Sequence, residues 1–131
     1  MNWDDYDQVL EAVKRSGCAL QFASEELKAN ETIVLEAVKQ NRWALGYASK
    51  ELRANETIVM EAVKQYGSLL ECASEKLRGN ETFIAECLYE LYNLNKLQEI
   101  KKFWEYVLEE IKEKYENQWE PLIASYYHRI E

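Results

Sequence analysis

Little in this chain breaks or bends it. One proline, Pro121, and four glycines among 131 residues exclude a collagen-like or loop-dominated protein. They also leave too little glycine for a phosphate-cradling loop. The one histidine, His128, has no Cys, Asp or Ser placed to complete a triad or dyad. Three cysteines, Cys18, Cys72 and Cys87, are odd in number and form no C-x-x-C pair, which excludes a disulfide framework and a zinc-ligand spacing. No apolar run approaches the roughly 18 residues that cross a bilayer. The opening "MNWDDYDQVLEAVK" is acidic and amphipathic, unlike a signal peptide. A cytoplasmic protein is expected.

Positive charge is also scarce. Sixteen Lys and Arg stand against 24 Asp and Glu, a net charge of −8. Attraction to nucleic-acid phosphates depends on basic residues, so direct nucleic-acid binding is not expected, nor is docking on anionic lipid.

What the chain does have is one phrase written three times. Residues 24–39 read "SEELKANETIVLEAVK", residues 49–64 "SKELRANETIVMEAVK", and residues 74–88 "SEKLRGNETFIAECL". Asn30, Asn55 and Asn80 are 25 residues apart, and one further step back lands on Asp5. A fixed period of this length signals stacked repeats. The expected units are 5–29, 30–54 and 55–79, with a half unit at 80–92 and a cap outside the repeat at 95–131, all in one all-α domain.

Each unit parses physically. Asp5 and the three asparagines are helix N-caps, and the Glu after each Asn suits the positive helix end. Ile33, Val34, Ala37 and Val38 make the apolar stripe of a first helix. Gly17 and Gly67 are expected to end that helix in a left-handed conformation, with Asn41 in that role in the middle unit. A short second helix follows ("CALQFAS", "WALGYAS", "SLLECAS"), whose apolar residues include Leu20, Phe22 and Ala23, matched by Leu45, Tyr47 and Ala48. Cys72 aligns with Phe22 and Tyr47, and Cys87 with Ala12, Ala37 and Ala62, so both read as core residues. Ser24, Ser49 and Ser74 cap one further turn. Helices this short are marginal alone, so the units must bury one another's stripes.

The pattern A-L-x-Y-A-S-x-E-L-R-A-N-x-T-I-V-x-E-A-V-K-Q resembles the short helical repeats of domain-of-unknown-function family 4116, over roughly residues 5–92. The resemblance implies tandem α-helical repeats and no general enzymatic activity. It supplies no site residues, and the aromatic C-terminal third departs from it.

There the period is lost. Residues 96–117 predict one long amphipathic helix with Leu97, Ile100, Trp104, Val107, Leu108, Ile111 and Tyr115 on one face. Pro121 predicts a stop near Gln118 and a short last helix. The plain reading is a cap on the raw end of the stack. The sharper one is a partner surface, because Trp104, Tyr106, Trp119, Tyr126 and Tyr127 are many aromatics for one cap.

No chemistry of catalysis or of a cofactor is legible. Glu11, Glu36, Glu61 and Glu86 recur once per unit, and a cation site is conceivable there. Lys14, Lys39 and Lys64 follow three of them by three positions, so an ion-pair ladder between units explains the row better. Catalytic, cofactor and metal residues are therefore expected to be absent. Binding would be written where the units differ, at the turns "RSGC", "QNRW" and "QYGS". One edge should carry Arg15, Arg42, Trp43 and Tyr66, residue types that dominate interface energetics. The bland alternative is drift at exposed turns. Two non-enzymatic functions fit: an adaptor that binds another protein, or a small acidic inhibitor of the anti-CRISPR or anti-restriction kind that blocks a basic nucleic-acid channel.

Overall fold

The computed structural model describes the backbone of residues 1–130 and the side chains of residues 1–125. Every regular element among them is helical. The first unit is α1 (Tyr6–Arg15), a 3₁₀ helix (Gly17–Phe22) and one α-turn, α2 (Glu25–Lys28). The second repeats this as α3 (Glu31–Gln40), Arg42–Tyr47 and α4 (Lys50–Arg53). The third is α5 (Glu56–Gln65), Gly67–Cys72 and α6 (Glu75–Arg78). Then come α7 (Glu81–Asn93), α8 (Leu97–Glu105), α9 (Glu109–Lys114) and α10 (Glu120–Ile130).

The caps sit where the sequence puts them. Side chains of Asp5, Asn30, Asn55 and Asn80 accept from the backbone N–H three residues on, at 2.9–3.1 Å. Ser24, Ser49 and Ser74 do the same at 3.2–3.3 Å. Each cap satisfies a donor that the helix cannot, worth about 1 kcal/mol.

The segment read as a second α-helix is 3₁₀, and that changes what it buries. With three residues per turn, positions three apart share a face. Leu20 and Ala23, Leu45 and Ala48, and Leu70 and Ala73 are accordingly buried. Phe22 and Tyr47 point away, and Phe22 is exposed against Trp3, ring centroids 5.3 Å apart. Cys72, in the same register, is only half-buried, whereas Cys87 is fully enclosed.

The expected left-handed cap is absent. No glycine has positive φ, and Asn41 is extended at φ −153°. Extended Ser16, Asn41 and Tyr66 end the first helices, each N–H still reaching the carbonyl four residues back. Gly17 is needed for approach instead: a Cβ there would lie 2.3 Å from the Ala37 carbonyl oxygen of the next unit.

A backbone rung ties the units together. Ser24 N–H donates to the Trp3 carbonyl, Ser49 to Lys28 and Ser74 to Arg53, each at 2.9 Å. The next rung is Leu108 N–H to the Arg78 carbonyl at 3.1 Å. Leu108 thus stands where the cap serines stand, with α8 in place of the 3₁₀ helix and α9 in place of the short α-turn. α10 then packs along α7 as the next first helix would. The C-terminal segment keeps the geometry of the stack after losing its sequence.

This explains why the helix expected over 96–117 is two helices. Leu108 is extended (φ −64°, ψ 146°), its N–H on Arg78, and Arg78 Nε donates to the Tyr106 carbonyl at 2.8 Å. Two hydrogen bonds to a neighbouring unit outweigh the local helical pattern, in which Val107 is a weak helix former.

The core is dry. Val9, Ile33, Val34, Val38, Leu45 and Ile58 pack in the N-terminal half. Val59, Leu70, Phe83, Leu88, Ile100 and Phe103 pack in the C-terminal half. α5 contributes to both, so they meet within one helix. Each such side chain contributes about 1.5–3 kcal/mol when fully buried.

Candidate functional site

The eight aromatic and basic residues singled out by sequence do not form one surface. Trp104 is core: it is 7% exposed, and its Nε1 donates to Asn117 Oδ1 at 2.9 Å. Packed in the C-terminal core with Ile100 and Phe103, it offers little surface to a partner. Trp119 is partly buried and lines a 320 Å³ groove between α7 and α10, with Tyr89, Tyr92, Asn93 and Ile123. Tyr89, Tyr92 and Asn93 were legible as one face of a helix at spacing i, i+3, i+4. Tyr126 and Tyr127 fall in α10, and their side chains lie outside those described. Arg15, at the end of α1, borders a shallow surface with Met1, Asp7, Gln8 and Glu11, separate from the other turn residues.

Arg42, Trp43 and Tyr66 do come together. The Arg42 guanidinium lies 4.4 Å from the Trp43 ring centroid and 4.6 Å from that of Tyr66. Arg42 and Trp43 belong to the second unit and Tyr66 to the third, so the arrangement exists only because the units stack. Local chemistry helps: Asn41 Oδ1 accepts the Trp43 N–H at 2.9 Å, fixing the start of the 3₁₀ helix. Trp43 remains 60% exposed. These residues edge a depression of 360 Å³ that Lys39, Gln40, Asn41 and Gln65 complete. The amides lie within the turns "QNRW" and "QYGS" but were not singled out there, since Gln and Asn are ordinary residues at the end of a helix.

The glutamate row does not build a ladder between units. Lys14 meets Glu11 at 3.9 Å and Lys64 meets Glu61 at 3.6 Å, both within one helix. Among the described residues, no group of three or more His, Cys, Asp or Glu gathers to hold a metal. Contacts between units run elsewhere. Asn55 Nδ2 donates to Glu31 Oε1 at 3.2 Å, while Glu81 accepts from Lys114 at 2.9 Å and from the Tyr115 hydroxyl.

Burial and neighbouring carboxylates set the titration shifts. Burial pushes the Cys87 thiol well above the ordinary thiol range, with Glu86, Glu56 and Glu90 adding to it and Lys64 opposing. Cys72 rises more modestly, by burial and then Glu71, against Arg53. Glu86 is raised by burial and then by Glu56. The Tyr106 phenol is raised chiefly by the Glu71 carboxylate beside it.

Stacked helical units joined by main-chain rungs, with variable turns along one edge, define an α-helical repeat protein. The chain belongs to the family described as domain of unknown function (DUF4116), whose model matches residues 5–53 and 55–93. Comparison with curated proteins and with solved structures returned no match. No helix among the described residues is long and apolar enough to cross a membrane.

Proposed function

We propose that this protein is a non-enzymatic interaction module of the cytoplasm that binds another protein along the edge marked by Arg42, Trp43 and Tyr66. One observation carries the reading: an arginine guanidinium in contact with two rings from different units, at positions where the units differ most. In the other units Gly17 and Gly67 stand in the Arg42 register, and Cys18 and Ser68 in that of Trp43. Rigid aromatic and arginine side chains are the usual anchors of an interface. Three free thiols suit a reducing compartment.

A second reading, the acidic inhibitor of a basic channel, draws on the opposite edge. There Asp7, Glu26, Glu31, Glu51 and Glu56 are exposed near helix N-termini. Acidic side chains recurring along one edge, with basic ones fewer, suit a basic partner.

Partner capture from the source organism, read by mass spectrometry, separates the two. The first reading expects W43A and R42A to abolish capture while E31K/E56K leaves it intact. The converse pattern favours the inhibitor, and capture that survives both pairs overturns both.

A further inference from the structure

The Arg42 edge of this acidic molecule is set up for negative charge. Residues 12–24, 37–50 and 62–70 contain no Asp or Glu, although the chain carries 24 of them. These runs cover the last turn of each first helix and most or all of the 3₁₀ helix after it. The 360 Å³ depression lies across the second and third runs. Its lining offers two cations, three amides and two rings, and no acid.

Its cations are also unspent. Lys14 and Lys64 are each paired with the glutamate three residues before them. Lys39 stands in the same register, and among the described residues neither it nor Arg42 has a carboxylate partner. Contacts with two rings restrain the planar guanidinium fork, whose N–H groups meet no carboxylate of the described residues. Such a fork is held in advance of binding, and it matches a carboxylate with two parallel hydrogen bonds.

We propose that this depression receives an acidic peptide segment of the partner, its carboxylate taken by Arg42 and Lys39 with help from Gln40 and Gln65, and an apolar neighbour lying on Trp43. This rests on the reading that the edge is where the partner binds. A short segment fits better than a nucleic acid. A long polyanion would run off the edge onto a surface that gives the chain its net charge of −8, and its affinity grows with the number of phosphates neutralised.

The test uses the full-length ¹⁵N-labelled chain and three probes of equal length: a peptide of Glu residues around one Phe, the same peptide with Lys for Glu, and single-stranded oligothymidylate. The acidic peptide is expected to shift the Trp43 indole signal, assigned with W43F, and to bind more weakly as salt rises. R42A should weaken it about tenfold or more, and R42E should transfer binding to the Lys peptide. If R42A melts early, R42K retains the charge but not the fork, and should still weaken the acidic peptide severalfold.

Tighter binding of the Lys peptide or of oligothymidylate to the parent chain overturns the proposal. So does a silent Trp43 signal at millimolar acidic peptide, or an affinity unchanged in R42A and R42K. A dimer in sedimentation that R42E dissolves overturns it in favour of a second copy of the chain. A photo-crosslinker at position 43 separates this inference from the reading beneath it. A crosslinked partner segment without acidic residues removes the charge assignment alone. Partner capture unaffected by R42A and W43A removes the edge as well.

Discussion

The backbone N–H of Gly67 donates to the Glu99 carboxylate at 3.1 Å, while a Cβ built on Gly67 would lie 2.0 Å from the Glu99 carbonyl oxygen. The third unit and α8 therefore meet main chain to main chain. No side chain fits between them.

Gly67→Ala should destabilise the protein by about 2–4 kcal/mol, since backbone on both sides must shift. Gly46 is the internal control: nothing lies within 4 Å of its Cβ position, and its φ is not positive. Gly46→Ala should be neutral or stabilise by up to about 1 kcal/mol, through loss of unfolded-chain entropy. Urea unfolding of the two variants beside the parent reads both outcomes.

The tryptophans should sort by burial rather than by position in the repeat. Trp104→Ala is expected to cost about 3–5 kcal/mol, because it empties a core site and leaves Asn117 without its donor. Trp43→Ala should stay within about 0.5 kcal/mol, as an exposed substitution. Thermal melts check this, and iodide should quench a fluorescence component that disappears in the Trp43 variant.

Glu86 gives a pH dependence with a definite sign. Its carboxyl is raised in the folded protein by burial and by Glu56, so the fold favours the protonated form. The associated stability is fully present below the unfolded carboxylate pKa and is lost as pH rises through the folded one. Glu86→Gln should therefore melt higher than the parent at pH 7, with the gap closing in the acid range. A gap that widens on acidification would reverse the assignment.

Cysteine reactivity should separate Cys87 from the rest. Buried, and with its thiol well above the ordinary range, Cys87 should react with Ellman's reagent only as fast as the protein opens. Cys18 and Cys72 are half-buried and should be labelled first. Mass spectrometry of partly modified protein identifies the order, which denaturant should erase.

The legible part of this fold was the part written in side chains. Asn30, Asn55 and Asn80 announce helix starts because capping needs their oxygen at one position, and Ile33, Val34, Ala37 and Val38 announce a buried stripe by their spacing. The 3₁₀ segments were not legible, since "CALQFAS" carries the same apolar residues whether its period is 3.6 or 3.0. The bend at Leu108 was hidden for a different reason. It is imposed by a carbonyl on Arg78, 30 residues earlier, and nothing in "EYVLEE" breaks a helix. At the candidate site, comparing unlike turns found Arg42, Trp43 and Tyr66, because departures from a repeat stand out within one chain. Arg15 shared the turn but not the place. Trp104 was read both as part of a cap and as a partner contact, because aromatic residues serve a core and an interface equally well; its burial fits the cap.

The rung between units uses only main-chain atoms, and that has a consequence for how such molecules change in length. A joint made of N–H and carbonyl groups places no demand on side-chain identity, as Leu108 shows by standing in for serine. A cassette of 25 residues could be copied or deleted at these joints without rewriting what lies on either side. Extent and specificity would then vary independently, the first by counting cassettes and the second by editing a single turn.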